Sequence, residues 1–287
     1  MAAVFPRISI VTPSFNQAAY VEWTVRSVLG QRYPNLEYLV LDGGSTDGTV
    51  ERMAPYLAGF AHFRSSPDGG QAAALAEGFA RSTGEIMAYL NSDDVLLPGT
   101  LAFVAEYFAA HPHVDFIYGH RAIIDDANIV TGHWILPRHR NYLMERDDFI
   151  PQEGSFWRRS LFERAGNIDP VYSFAMDYDL FVRYMREGRF RRVNRFLAAY
   201  RMHSASKTSL VFEASGRAEI DLVRQRHGLV PYSRRLGDYV SNALRLRSAL
   251  FLYAGKRFAG LPSGTGYSLD RVWGGLLEDA GIALPAQ

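Results

Sequence analysis

A chain of 287 residues with 48% hydrophobic and 13% aromatic content can bury a sizeable core, so disorder is excluded as its default state. Its formal net charge of +1 gives no support to nucleic acid as a partner. Cysteine is absent, which excludes disulfides, thiolate metal sites and a cysteine nucleophile and leaves oxygen and imidazole as the metal ligands on offer.

Arg7 to Pro13 reads as a strand carrying Ile8, Ile10 and Val11, broken at Thr12-Pro13-Ser14-Phe15-Asn16 and followed by a helical pattern from Ala18 to Leu29. A second strand, Leu36 to Leu41, ends in Asp42-Gly43-Gly44-Ser45-Thr46-Asp47-Gly48-Thr49, where Ser45 or Thr46 is available to cap the next helix. A third, Phe60 to Ser65, leads into Pro67-Asp68-Gly69-Gly70-Gln71 and an alanine-rich helix to Arg81. Gly69 and Gly70 would let the backbone approach a ligand closely, or make an ordinary turn. A fourth, buried strand follows Gly84 and ends in the adjacent carboxylates Asp93 and Asp94, ahead of a helix opened by Pro98-Gly99-Thr100. Strands alternating with helices predict an α/β fold with a doubly wound, mostly parallel sheet whose turns converge on one edge. Ligands of such sheets bind beyond the carboxyl ends of the strands. A carboxylate pair there suits a hard divalent cation that takes its other ligands from the phosphates of a substrate. A plain polar turn would satisfy the same residues with no ligand at all.

Beyond residue 95 the pattern changes. His113 to Tyr118 predicts a strand and Gly119 to Trp134 a hairpin around Asp125-Asp126-Ala127-Asn128. Then come Pro151-Gln152-Glu153-Gly154-Ser155-Phe156-Trp157-Arg158 and a helix opening at Met176-Asp177-Tyr178-Asp179. Two carboxylates two positions apart on a helix cannot both face one cleft. A strand from Phe190 runs into Ala199-Tyr200-Arg201-Met202-His203. The tail from Leu210 to Gln287 predicts two or three helices, one of them from Leu236 to Phe258. Between residues 224 and 257 eight Lys and Arg face one acid, Asp238, which fits either a helix packed with a cationic outer face or peripheral contact with an anionic membrane.

Four segments in order resemble glycosyltransferase family 2, the inverting, nucleotide-sugar-dependent enzymes of the GT-A fold. They are Thr12 to Asn16, Ser27 to Pro34 (Ser-Val-Leu-Gly-Gln-Arg-Tyr-Pro), Leu41 to Thr49, and Leu90-Asn91-Ser92-Asp93-Asp94. The resemblance covers about residues 7 to 210. It implies a Rossmann-like GT-A catalytic domain over 1–210, with a nucleotide-binding half at 1–95 and an acceptor-binding half at 96–210, and leaves 211–287 as a helical C-terminal extension. It places Pro13, Phe15, Asn16, Asp42, Gly69, Gly70, Gln71 and Asp93 at the nucleotide sugar, with Asp42 on the base or ribose and Asp93 on the ribose. Asp94 would bind a divalent metal, Mn or Mg, with His203 completing the site. Gln152, Glu153, Ser155 and Trp157 would line the acceptor site. Asp177 would be the catalytic base, in a segment where the family usually shows Glu-Asp and this chain has Met176-Asp177; Asp47 and Asp179 would be first-turn acids of their helices.

The activity so implied is inverting, metal-dependent, non-processive transfer of a hexosyl or N-acetylhexosaminyl group from a nucleotide sugar, with a UDP-sugar favoured, to a glycan or polyprenyl-linked acceptor in bacterial surface polysaccharide biosynthesis. Non-processive transfer is expected because no Gln-X-X-Arg-Trp segment occurs. No stretch approaches 18 consecutive apolar residues and Met1 to Pro6 has no charged, then apolar, leader pattern, so a cytoplasmic protein is expected, either soluble or peripheral on the inner face of the cell membrane. Two other classes stay open. A sugar nucleotidyltransferase would need a Gly-rich basic loop after the first strand, and a catalytically silent nucleotide- or glycan-binding adaptor would have no use for Asp42, Asp93, Asp94 and Asp177 together.

Overall fold

The computed structural model describes residues 5–204, 206, 215–253, 258–262 and 264–274, and within 234–253 only some of the side chains. Its first half is β1 Ile8–Ser14, α1 Val21–Leu29, β2 Leu36–Asp42, α2 Thr49–Met53, β3 His62–Ser65, α3 Gln71–Arg81 and β4 Ile86–Tyr89. These strands are parallel, in the order β3-β2-β1-β4. The second half holds β5 Val95–Leu96, α4 Thr100–Ala110, β6 Phe116–Ile124, β7 Val130–Trp134, α5 Asn141–Met144, β8 Ser155–Arg158, α6 Arg159–Ala165, α7 Met176–Glu187 and β9 Phe190–Arg201. The tail carries α8 Arg217–His227, α9 Arg234–Tyr253 and α10 Asp270–Trp273.

One sheet runs β3-β2-β1-β4-β8-β6-β9-β5, with β7 on β6. The expected parallel arrangement holds up to β4. Past it, β8 is antiparallel to both β4 and β6, and β5 is antiparallel to β9; only β6 and β9 pair in parallel. The hairpin of β6 and β7 has a tight cause: Asp125 Oδ1 accepts from the N–H groups of Ala127 and Ile129 while Asn128 turns the chain at φ 59.

Every residue of β1 and β2 is buried, as expected of parallel strands covered on both faces. Alternate side chains therefore enter two cores. Val11, Leu39 and Leu41 meet Ala74, Leu75 and Phe79 of α3 and, farther along, α7. Ile10, Tyr38 and Val40 meet Val21, Val25 and Val28 of α1 and Leu101 and Phe108 of α4. Helix α3 can lie this close because residue 78 is glycine: a Cβ there would collide with Val11 and Leu41.

The tail does not stand apart. Leu261 and Leu269 enter a third apolar cluster with Val95, Ile124 and Phe196, and the backbone of Val130 is bonded to Tyr267 and Gly266. Val223 of α8 is buried in the core that contains α7. Among the described residues no helix is long and apolar enough to cross a membrane.

Candidate active site

The carboxyl ends of β1, β2 and β4 and the start of α3 border a cleft of about 730 Å³, lined by Pro13, Phe15, Gly43, Gly44, Asp68, Gly70, Gln71, Asn91 and Asp93 among others. A second cavity of about 820 Å³ lies beside it, lined by Tyr89, Arg121, Trp134, Asp148, Gln152, Glu153, Asp177 and Tyr200 together with residues of α8 and the turn after it. Gln71 and Asn91 border both, and Gln71 Nε2 donates to Asn91 Oδ1 at 2.7 Å. The two spaces thus meet at one hydrogen-bonded pair.

Asp42 and Asn16, expected at the nucleotide, hold together the loops that border the cleft. Asp42 is wholly buried, and its Oδ2 accepts from the N–H of Gly44 (3.0 Å), the N–H of Ser45 (2.9 Å) and Ser65 Oγ (2.7 Å), while Oδ1 takes the Ser45 hydroxyl. A carboxylate so engaged shapes the loop that brings Gly43 and Gly44 to the cleft, and Asp42 itself is not among the residues that line it. Asn16, at φ 52, ties the loops together: its Oδ1 accepts from Thr46 N–H and its own N–H donates to Ser45 Oγ. Neither Asn16 nor Gly69 lines the cleft, whereas Pro13, Phe15, Gly70 and Gln71 do. Phe15 is 61% exposed there, an apolar ring on the rim of the cleft. Asp47 accepts from Thr49 and Ala18 N–H at the start of α2.

The two adjacent carboxylates part company. Asp94 is fully buried, with Oδ1 accepting from Arg201 N–H at 3.0 Å and Oδ2 from Gln152 Nε2 at 3.1 Å. Burial, and after it the charges of Asp93 and Glu153, push its pKa well above the ordinary carboxylate value. Asp93 borders the cleft, and its Oδ2 lies 3.0 Å from His203 Nε2. His203, expected beside Asp94, lies within hydrogen-bond distance of Asp93, while Asp94 is turned onto Arg201 N–H and Gln152 Nε2. Arg201, to which the sequence reading gave no role, fixes this arrangement. It donates to the carbonyls of Asp93 and Asp125 and to Asn128 Oδ1, with its guanidinium stacked on Tyr20 and Trp23. The signal was its place two residues before His203.

The Asp93–His203 pair fits a hard divalent ion. Asp93 Oδ2 and His203 Nε2 are hydrogen-bonded to each other at 3.0 Å, and the pair offers one oxygen and one nitrogen donor to such an ion. Among the described residues no cluster of three or more His, Cys, Asp or Glu could hold a metal. The rest of such a shell would come from phosphate oxygens and water.

On the other side, Gln152 and Glu153 reach the cavity wall from a 3₁₀ turn. Glu153, 1% exposed, takes two bonds from Arg121, whose guanidinium stacks on Trp134 and Tyr200. Ser155 and Trp157, expected at the acceptor, are core residues. The chain enters β8 at Ser155, whose hydroxyl donates to Pro151 O, and Trp157 is enclosed by Phe79, Phe116 and Tyr184.

Asp177, in the first turn of α7, lines the cavity. Asp179 points away, 2% exposed and bound by Arg183 Nε at 2.9 Å and His227 Nε2 at 2.8 Å. Glu219 of α8 accepts from Phe174 N–H, Ala175 N–H and Ser173 Oγ, so the tail pins the turn that presents Asp177.

Asp148 was not singled out by the sequence, having no motif around it. It lines the same cavity, and its Oδ1 is shut off from solvent without a hydrogen-bond partner among the described residues. Burial, then the charges of Asp177 and Asp147, hold its pKa well above the ordinary value. A folded pKa above the unfolded one means that stability is fullest while the group is protonated in both states and is lost as pH rises above the unfolded value of about 3.9. Asp148→Asn should therefore raise the unfolding midpoint at neutral pH and lose that advantage below about pH 4, as measured by thermal unfolding across pH.

Two loop-lined spaces thus meet at the carboxyl edge of a half-parallel sheet. Solved structures agree on the fold. Staphylococcus aureus TarS 1-349 in complex with UDP-GlcNAc matches with TM-score 0.60 at 16% identity, covering 71% of this chain and 61% of that one. The mannosyltransferase PcManGT from Pyrobaculum calidifontis, in complex with GDP-Man and Mn2+, matches with TM-score 0.56 at 21% identity, covering 77% and 64%. In sequence, an uncharacterized glycosyltransferase of Nostoc sp. (strain PCC 7120) is 29% identical over 76% of this chain and 74% of its own. A PGL/p-HBAD biosynthesis glycosyltransferase of Mycobacterium bovis (strain BCG) is 31% identical over 62% of this chain and 69% of its own. The sequence profile of Glycosyl transferase family 2 matches residues 9–166, over half the chain, and the protein belongs to that family. It is a glycosyltransferase.

Proposed function

We propose that the enzyme moves a sugar, with inversion and once per acceptor, from a nucleotide donor in the 730 Å³ cleft to a hydroxyl of a glycan or lipid-linked acceptor in the adjoining cavity. One observation carries this reading: Asp93 borders the first space, Asp177 the second, and the two share Gln71 and Asn91 as a common wall. Asp93 and His203 would hold the divalent ion, Mn or Mg, in place of the expected Asp94 and His203. When bound, that ion supplies Lewis-acid stabilisation to the departing diphosphate. Phe15 and the glycines at 43, 44 and 70 bind the nucleotide by close backbone approach and apolar contact. Asp177 takes the proton of the acceptor hydroxyl as its oxygen bonds to the anomeric carbon and the bond from that carbon to the phosphate oxygen breaks. A single base and a single displacement give the inverted product.

The nucleotide-sugar complexes of TarS and PcManGT support the donor class, and the Mn2+ in the latter supports the metal. A UDP-sugar remains the favoured donor. Relatives named for PGL/p-HBAD biosynthesis support assembly of a cell-surface glycan as the setting. Titration calorimetry with UDP and with GDP checks the assignment: binding should be strong with Mn and much weaker without it, and should favour UDP. Nucleotide binding indifferent to Mn would remove the metal from the scheme.

A further inference from the structure

Of the twelve large apolar side chains exposed among the described residues, six fall between 222 and 250. Four lie on α9: Leu236, Tyr239, Leu246 and Leu250, from 47% to 72% exposed. At 100° per residue they fall within about 80° of helix arc, a continuous stripe. The orientation of the stripe is fixed by Ser248 on the opposite side of the helix, which is buried and whose Oγ accepts from Ile135 N–H at 3.0 Å. Arg247, at the edge of the stripe, reaches back to donate from Nη2 to Ile135 O at 2.7 Å. One flank of α9 is thus docked on the chain that follows β7, and the apolar stripe is left outward.

Charge says what covers it. Residues 234–257 hold six Lys and Arg against Asp238 alone; Arg224 and Arg226, on α8, are ion-paired with Asp221 and Asp169. Lys256 and Arg257 lie outside the described residues, as do the side chains of Arg234, Arg235 and Arg245, and their charge is counted from the sequence. An anionic bilayer offers the stripe an apolar boundary and the cations a counter-charge. Position agrees: Pro231, Tyr232 and Ser233 line the cavity that holds Asp177, and the stripe begins three residues on.

We propose that α9 lies on an anionic lipid surface through Leu236, Tyr239, Leu246 and Leu250, so that the cavity with Asp177 opens at the membrane. The first part stands on the helix alone; the second rests on the reading of that cavity as the acceptor site. Such a placement admits an acceptor whose lipid stays in the bilayer while its sugar enters the cavity.

The test is flotation with vesicles of phosphatidylglycerol and phosphatidylcholine in equal parts, against phosphatidylcholine alone. The wild type should float with the first and not the second, and the Leu246→Glu/Leu250→Glu variant should bind about tenfold less. Tyr239→Ser, at the most exposed position of the stripe, should weaken binding if the double variant fails to fold. Calorimetry with UDP and Mn should be unchanged in the variants, so loss of nucleotide binding by every form, with flotation intact, would sink the proposed function and leave this inference standing. No wild-type flotation, equal flotation on both vesicles, equal flotation of wild type and variants, or a wild-type dimer by light scattering that the variants break would overturn it.

Discussion

Asp177→Asn should lower sugar transfer by about 10² to 10⁴-fold while donor and metal affinity stay nearly unchanged. The amide keeps the size of the side chain and most of its hydrogen bonding but cannot accept the acceptor's proton. The donor side should not notice, because Asp93, Phe15 and Gly70 line the other cleft. Asp179 offers no replacement, since Arg183 and His227 already bind both its oxygens. Initial rates with saturating donor, set beside calorimetric donor affinity, separate the two effects. If Asp177→Asn transferred at near wild-type rate while Asp179→Asn were dead, the base would be Asp179. If both stayed active the base would lie elsewhere, with Asp148 the next candidate, because Glu153 is committed to Arg121.

The adjacent acids should respond in opposite ways. Asp93→Ala should abolish the response to Mn and leave the fold intact, because its carboxylate sits at the cleft edge against His203. His203→Ala should shift the metal titration to higher concentration with a smaller loss. Asp94→Ala should instead destabilise the protein, because Arg201 N–H and Gln152 Nε2 would each lose a buried acceptor, at about 1–3 kcal/mol apiece. Urea midpoints and metal titrations of the three variants tell these roles apart. A stable Asp94→Ala that had lost its Mn response would restore the first assignment.

The parallel half of the sheet was legible in the sequence because each strand there is a short apolar run stopped by a glycine- and aspartate-bearing turn, a local signal. The antiparallel half was less so: β8 pairs with strands far from it in sequence, and nothing local in Ser155 to Arg158 says that Trp157 is enclosed by aromatic rings rather than open to an acceptor. Residue type also could not tell Asp93 from Asp94. That division depends on Arg201 and Gln152, which approach Asp94 from β9 and from the turn before β8. Asp42 is equally hard to read, since an acid at a strand end serves a loop as readily as a ligand. Asp177 and Asp179 were separable beforehand because helical spacing alone turns them apart. The tail's part in holding α7 came from Glu219, a surface-type residue with no motif.

The most direct test of metal-assisted nucleotide-sugar chemistry is acceptor-free hydrolysis of a panel of UDP-, GDP- and dTDP-sugars, followed by nucleotide release with Mn and with excess chelator. One donor, or a few of one base, should be hydrolysed slowly in Mn and not in chelator, with Asp93→Ala at the chelator level under both conditions. Hydrolysis that ran equally well in chelator, or a protein that bound donors and never released nucleotide from any of them in Mn, would contradict it.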